Sequence, residues 1–248
     1  MMIANPTLPP MATRARIGVI VPSVNTVVEP WFSHVCPPGV TVHAARMFLD
    51  NNLTPESLVR MDQDEGMRAV KQIMSCKPAS VAYCCTASSI VQGLEYDGRL
   101  NHELNHAAGV PAFTATRAII EALNAVGAKR LAVCSPYTQA IDDAEHVFFS
   151  AAGFEILGSA HLGIADAFKL ADPTPDDIHA LWKKSWHADA DASLITCLNM
   201  NSQDVVARIE AESGKPVITS TQATLWKLLR TAGVQDRIEG FGVLLTEH

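Results

Sequence analysis

The sequence predicts an α/β protein made of two similar units with parallel sheets. Three observations predict this class: β-branched runs alternate with helical patterns, three segments of the first half recur in the second half, and 48% of the 248 residues are hydrophobic. A chain of this length and composition can bury one large core or two modest ones. Disorder is excluded as the main state of the chain.

Eight short runs rich in β-branched residues predict strands. They cover Arg16–Val21, Val40–Ala44, Val81–Cys85, Ala112–Thr114, Arg130–Cys134, Phe154–Leu157, Ser193–Thr196 and Pro216–Thr219. Between them, spacing near 3.6 predicts helices, as in Thr116–Val126 and Ser202–Glu212. Gly127 and Gly214 are placed as stops at the carboxyl ends of those two helices.

The internal repeat predicts how the two units meet. Arg16–Pro22 resembles Arg130–Pro136, Ala82–Cys85 resembles Leu194–Cys197, and Gly109–Ala118 resembles Gly214–Ala223. Open α/β sheets bind ligands beyond the carboxyl ends of their strands, so two facing units would share one cleft. Cys85 and Cys197 would then face each other across it. We expect a flexible leader at 1–15, a first domain of 16–117 plus 222–248, and a second domain of 118–221.

Charge and composition exclude several kinds of partner. The formal charge is −7 and neither sign forms a long run, which argues against binding to nucleic acid or a membrane. The six cysteines form no C-x-x-C pair, so a disulfide framework and structural zinc are not expected. His102 and His106 have no evident third ligand, and we expect no metal. The leader lacks the apolar core of a signal peptide, which favours a cytoplasmic location.

Polar residues surround the two strand-end cysteines. A cysteine just before a helix lies near N–H groups that can stabilise a thiolate, although buried structural cysteines are the alternative. Neutral hydrogen-bond donors follow the neighbouring strands, and they include Asn25, Thr86, Ser88, Tyr137 and Asn199. Such loops often only cap helices, but four of them converging on two thiols indicate a pocket for a small carboxylate.

Several short motifs in order resemble the aspartate/glutamate racemase superfamily, in the branch that holds maleate cis–trans isomerase and arylmalonate decarboxylase. They are Val21–Thr26 followed by Glu29, Ala82–Thr86 followed by Gly93, Pro136-Tyr137, Cys197 with Asn199, Gly214–Val217 with Gln222–Trp226, and Gly240–Gly242. The resemblance covers nearly all of the chain after residue 15. It implies two Rossmann-like domains related by a pseudo-twofold axis, catalysis without a cofactor, and a homodimer or homotetramer.

The resemblance also implies roles for individual residues. By analogy with maleate isomerase, Cys85 would be the nucleophile that adds to the double bond of a small dicarboxylate, and Cys197 its acid/base partner. The positions of Asn25, Tyr137 and Asn199 match those that hold the substrate carboxylates in the family. Thr86 and Ser88 would supply further donors beside Cys85.

One loop departs from the isomerase pattern. Isomerases usually carry an Asn after the sixth strand, but Leu162–Phe168 has none, and its opening is similar to that of the decarboxylases. Asp166 would repel a dicarboxylate if it faced the pocket, whereas Phe168 and Leu170 would make that wall apolar. Trp31, Phe32 and Phe168 are the candidates for excluding water from the site.

Three alternatives to isomerisation stay open at this point. Arylmalonate-type decarboxylases keep only the second cysteine, so the Cys85/Cys197 pair argues against that activity. Two thiols on opposite faces of a planar intermediate also suit an amino-acid or hydantoin-type racemase. A small-carboxylate binding protein is the alternative outside the enzymes.

Overall fold

The computed structural model describes residues 11–248, which form two four-stranded sheets with all strands parallel. The strands are β1 (Ala15–Pro22), β2 (Val40–Met47), β3 (Ser80–Tyr83), β4 (Ala112–Thr114), β5 (Arg130–Ser135), β6 (Glu155–His161), β7 (Ala192–Ile195) and β8 (Val217–Thr219). The sheet orders are β2-β1-β3-β4 and β6-β5-β7-β8. Each half therefore has the same strand order, as the internal repeat predicted, and all eight predicted strands are present.

Strand β1 shows why the strands of these sheets have continuous apolar sequences. Helices cover both faces of a parallel sheet, so side chains on both faces are buried, and in β1 only Arg16 is even partly exposed. The strand begins at Ala15, inside the predicted leader, and Arg14 forms an ion pair with Asp236. The rest of the leader prediction falls mainly on residues 1–10, which lie outside the described part of the chain.

Eleven α-helices connect and cover the strands within residues 11–248. They are α1 (Val28–Val35), α2 (Pro55–Met61), α3 (Met67–Met74), α4 (Thr86–Gln92), α5 (Leu94–Ala108), α6 (Ala115–Ala125), α7 (Gln139–Ala151), α8 (Pro175–Ser185), α9 (Val206–Ser213), α10 (Ser220–Thr231) and α11 (Val243–Glu247). A π turn, Asp62–Gly66, joins α2 to α3. Among the described helices, none is both long and apolar enough to cross a membrane.

Helix caps explain why the repeated segments fold alike. Thr114 and Thr219 occupy equivalent positions in the third repeated pair, and each accepts a hydrogen bond from the backbone N–H three residues later. This contact satisfies a donor that the first turn of a helix leaves free. Gly127 follows α6 and Gly214 caps α9, both with positive φ, as the sequence predicted.

Several contacts join the two halves around the cleft. Helix α4 packs on α7 and helix α10 packs on α6. On the other side, Leu53 N–H donates to Ala165 O at 2.9 Å and Ala167 N–H donates to Asn51 O at 2.8 Å. We call this two-bond antiparallel contact between residues 51–53 and 165–167 the loop bridge. The domain boundaries at 117/118 and 221/222 stay predictions.

Candidate active site

A small cavity of about 40 Å³ lies where the carboxyl ends of the central strands of both sheets meet. Six of the seven predicted site residues line it, namely Asn25, Cys85, Thr86, Tyr137, Cys197 and Asn199. Its remaining lining is mostly apolar, and no Lys, Arg, Asp, Glu or His is among the described residues that line it. Any anion bound here is therefore held by neutral donors.

Cys85 is positioned by the start of α4. It is the N-cap residue of that helix, with extended backbone angles, and it is 6% exposed. Its sulfur lies beside the backbone N–H and the hydroxyl of Ser88, and both contacts lower the pKa of the thiol. The N-cap position places the sulfur beside the N–H groups of the first turn, although the side chain makes no capping hydrogen bond.

Cys197 is positioned by an unusual backbone conformation. It has a φ of 86°, in the left-handed region that residues other than glycine rarely adopt. The turn brings the N–H groups of Asn199 and Met200 and the hydroxyl of Tyr137 to its sulfur. Strain of this kind is concentrated at functional sites, where the surrounding structure holds it in place.

Burial disfavours ionisation of both thiols. Burial is the largest influence on each, and it raises the pKa of Cys85 and of Cys197 to about 12. The sequence led us to expect that helix N–H groups would stabilise a thiolate. The nearby donors act in that direction on both sulfurs, but the loss of water around each sulfur has the larger effect.

Asn25 and Thr86 offer donors to the cavity in different ways. The Asn25 side-chain oxygen accepts from the N–H groups of Val27 and Val28 at 3.0 and 2.9 Å. Its Nδ2 group is the part of the amide that remains for a ligand. The Thr86 hydroxyl donates to Ser220 at 3.3 Å, but the N–H groups in this first turn of α4 have no intrahelical acceptor.

Asn199 lines the cavity with an amide that already has protein partners, whereas Ser88 lies outside the lining. The Asn199 oxygen accepts from Thr26 N–H at 2.9 Å, and its Nδ2 donates to Ala167 O at 3.2 Å and to Val24 O at 3.4 Å. Its amide thus already ties the two halves together. Ser88 is fully buried and does not line the cavity, because its side chain lies behind Cys85, where it donates to the Cys85 carbonyl at 3.3 Å.

A buried acid lies behind the second cysteine. Glu145, on α7, is fully buried, and neither of its carboxyl oxygens has a hydrogen-bond partner among the described residues. Burial raises its pKa to about 8, so it is largely protonated at neutral pH. Its charge, when present, disfavours ionisation of both Tyr137 and Cys197.

The apolar wall of the cavity consists of leucines that the sequence analysis mostly missed. Leu170 was predicted and lines the cavity, together with Leu49, Leu53 and Leu58. Trp31 and Phe32 do not line the cavity and pack in a core against β1, while Phe168 is 54% exposed. The position of Leu49 and Leu53 just after β2 was the available signal, since ligands bind beyond strand ends.

Asp166 does not face the cavity. Its carboxylate accepts from the N–H of Phe168 at 3.0 Å, and its backbone lies in the loop bridge opposite Asn52. In the loop that differs from the isomerase pattern, the acidic side chain therefore stabilises a local turn. Repulsion of a bound dicarboxylate by Asp166 is not expected from this geometry.

Fold and site together define a two-cysteine α/β protein with its cleft between similar halves. A family model described as arylmalonate decarboxylase matches residues 17–245, and the chain belongs to that family. The resemblance drawn from the short motifs is thereby confirmed. Because the full-length relatives are enzymes, the alternative of a binding protein loses its support.

Three relatives illustrate the family. Maleate isomerase of Pseudomonas putida KT2440 is 28% identical over 244 residues, covering 93% of this chain and 97% of that protein. Arylmalonate decarboxylase of Bordetella bronchiseptica is 24% identical over 237 residues, covering 91% and 97%. A crystal structure of a cysteine-to-alanine variant of maleate isomerase from Pseudomonas putida S16, with maleate, has a TM-score of 0.89 and 26% identity and covers 94% of this chain and 97% of that chain.

Proposed function

We propose that this protein is a cofactor-independent cis–trans isomerase of maleate or a related small dicarboxylate. The observation that carries the proposal is that two buried cysteines, one from each half, line the same cavity. The full-length similarity to maleate isomerases supports the same activity. A decarboxylase of this family needs only the second cysteine, so the presence of Cys85 favours isomerisation.

Each cysteine has a separate part in the proposed reaction. The Cys85 thiolate forms a bond to one alkene carbon, and the alkene electron pair moves onto the neighbouring carbon and its carboxylate. Cys197 gives a proton to that carbon and later removes it. While the former alkene is a single bond it can rotate, and elimination of Cys85 then restores the double bond in the trans form.

The substrate carboxylates are held without positive charge in this proposal. The candidate donors are the Asn25 Nδ2 group, the N–H groups of Thr86 and Ala87 at the start of α4, and the Tyr137 hydroxyl. Preorganised neutral donors can stabilise the negative charge that develops on a carboxylate during addition. The cytoplasmic location and the homodimer or homotetramer stay predictions that rest on the sequence.

Proton NMR of maleate with the purified, reduced protein, without added metal or cofactor, tests the proposal. We expect fumarate to appear, and we expect Cys85→Ala to lower kcat by about 1,000-fold or more because it removes the attacking atom. The matched control is Cys134→Ala, since Cys134 is equally buried but does not line the cavity. Cys85→Ala turnover equal to that of the parent would contradict the assignment.

The leucine wall supports decarboxylation of an aryl-substituted malonate as a second candidate activity. Leu49, Leu53, Leu58 and Leu170 would suit an apolar substituent better than a second carboxylate. Parallel samples with α-substituted malonates and with amino acids in D2O separate the possibilities. Loss of carbon dioxide from a malonate indicates the decarboxylase, and exchange of an α-proton without a new product indicates a racemase.

A further inference from the structure

Arg46, near the end of β2, contacts the loop that leads from β1 to the cavity. Its Nη1 group donates to the carbonyl oxygen of Ser23 at 2.9 Å and to that of Asn25 at 3.1 Å. Its Nη2 group forms an ion pair with Glu29 in the first turn of α1. One guanidinium group therefore joins the second strand, the loop at residues 23–25 and the first helix.

Asn25 is the candidate carboxylate donor that this loop carries. It is 2% exposed and lines the cavity, and its side-chain oxygen accepts from the N–H groups of Val27 and Val28. These two contacts fix which way the amide is turned, and the Nδ2 group donates to no residue within 11–248. A buried donor without a protein partner is suited to a ligand oxygen, because leaving it unpaired is costly.

Arg46 matters more to the placement of Asn25 than to that of Ser23. Ser23 is also held by its N–H, which donates to the Met47 carbonyl at 2.6 Å, and by its hydroxyl, which accepts from Leu49 N–H at 3.0 Å. The Asn25 carbonyl accepts from Arg46 and from no other donor in the part of the chain that the structure describes. Loss of the guanidinium group would therefore free Asn25 while Ser23 keeps its place.

The second half holds its cavity loop in an equivalent way. Arg46 lies opposite Val21 in the pairing of β2 with β1. His161 lies opposite Ser135 in the pairing of β6 with β5, and Ser135 is the repeat equivalent of Val21. The His161 Nδ1 atom lies 3.3 Å from a carboxylate oxygen of Asp142 in α7, and this acid accepts from the Ser135 hydroxyl at 3.1 Å. Each half therefore has a nitrogen-bearing side chain from its edge strand and a helix acid beside the loop that enters the cavity.

Folding stability alone does not explain the contact at Arg46. The side chains of Arg46 and Glu29 are 43% and 32% exposed, and exposed ion pairs contribute little to stability. The arrangement nevertheless recurs at both loops that enter the cavity, which indicates a role at the site.

We propose that Arg46 is a positioning residue that holds Asn25 so that its Nδ2 group meets a carboxylate of the bound substrate. The identity of that ligand rests on the proposed function, whereas the placement of Asn25 concerns the free protein. Arginine suits this task because its planar group can donate to both carbonyls and to the acid at fixed angles.

Amide hydrogen exchange of Val27 and Val28, followed by NMR in the absence of ligand, tests the placement of Asn25. Arg46→Met should speed exchange at both positions by about 10-fold or more, because the Asn25 oxygen no longer stays beside these N–H groups. Arg46→Lys should lie between the parent and Arg46→Met, since an ammonium group keeps the charge without the planar fork. Parent exchange rates in Arg46→Met would overturn the proposal.

Arg16→Met is the matched control for a loss of backbone contacts in the same sheet. The Arg16 Nε group donates to the carbonyls of Cys76 and Lys77 at 2.8 and 3.1 Å, at the amino end of β1 and away from the cavity lining. Exchange at the two valines should stay at the parent rate in this variant. Equal acceleration in the control would assign the effect to general loosening of the fold, and the proposal would then be wrong.

Binding of succinate, a dicarboxylate without a double bond, tests the link between Arg46 and the ligand. Its affinity is measured by isothermal titration calorimetry. We expect Arg46→Met to weaken succinate binding about 10-fold and Asn25→Ala to weaken it about 30-fold. The double variant should bind no more weakly than Asn25→Ala, because Arg46 acts through Asn25. Two independent effects that multiply in the double variant would contradict this link.

Turnover separates this inference from the proposed function. If the protein isomerises maleate, Arg46→Met should raise KM about 10-fold and change kcat by no more than about 2-fold, because both thiols stay in place. A lowered kcat at an unchanged KM would overturn the positioning role and leave the two-cysteine reaction standing. If the parent neither binds succinate nor converts maleate, the proposed function fails, and the exchange rates of Val27 and Val28 alone decide whether Arg46 holds Asn25.

Discussion

Cys197 illustrates how one residue can be kept against its own conformational preference. At a φ of 86° a Cβ atom is disfavoured, and glycine would occupy the position without strain. The same strained turn directs two backbone N–H groups at the sulfur. The side chain at this position is therefore explained by chemistry and not by packing.

At Cys197, the glycine variant should be more stable than the alanine variant, which is the reverse of the usual order of stability. We expect Cys197→Gly to be about 1 kcal/mol more stable than Cys197→Ala, because only alanine retains the strained Cβ. At Cys134, in the interior of β5, the ranking should be the ordinary one, with alanine the more stable. Urea unfolding of the four variants measures both differences. The same ranking at the two positions would contradict the strain at Cys197.

Strand ends were predictable from the sequence where the pattern of residue types matches the strand pairing in the fold. The ends of β3 and β6 differ from the prediction for different reasons. Strand β3 ends at Tyr83, before the predicted Cys85, because Cys85 caps α4. Strand β6 continues to His161, past the predicted Leu157, because pairing with β5 extends it through a stretch without β-branched residues. The π turn at Asp62–Gly66 has no local signal that distinguishes it from ordinary helix.

At Gly158, strand β6 lies against the end of α8. A Cβ built on Gly158 would lie 2.3 Å from the Ser185 carbonyl oxygen, whereas one on Gly98 in α5 meets nothing within 4 Å. We expect Gly158→Ala to destabilise the fold by about 1–3 kcal/mol through overpacking. Gly98→Ala should instead stabilise it by about 0.5–1 kcal/mol through helix propensity. Thermal unfolding of both variants checks this, and a neutral Gly158→Ala would contradict the close contact.

At the scale of the whole molecule, the repeat was the signal that located the site. It predicted that Cys85 and Cys197, far apart in sequence, would share one cleft, and both line the cavity. Glu145 could not be found in this way, because nothing near it in sequence distinguishes it from a surface acid. Its raised pKa arises from burial, which depends on how α7 packs in three dimensions.

The buried Glu145 should make the global stability depend on pH. Its pKa is about 8 in the folded protein and near the ordinary 4.5 when unfolded, so the folded state keeps the proton longer. The free energy of unfolding therefore falls as pH rises from 4.5 to 8, by up to about 1.4 kcal/mol for each unit of pKa difference. Glu145→Gln removes this loss, because an amide does not ionise.

Thermal unfolding against pH measures this effect. Relative to the parent, Glu145→Gln should gain thermal stability as pH rises through that window, by about 2–4 °C for each kcal/mol. Glu155→Gln is the control, since Glu155 is exposed on the surface of the same half. A Glu145→Gln curve parallel to the parent curve at every pH would show that the acid does not retain its proton on folding.

The loop bridge opens on a slower time scale than rotation about a single bond. Its two backbone hydrogen bonds join opposite halves beside the cavity, because Leu53 belongs both to the loop bridge and to the cavity wall. Loop motions of this kind take nanoseconds to microseconds or longer, whereas rotation about a single bond takes picoseconds to nanoseconds. Under the proposed isomerase reaction, an adduct on Cys85 would therefore rotate many times within one opening time of the bridge, and the two isomers would equilibrate on the enzyme.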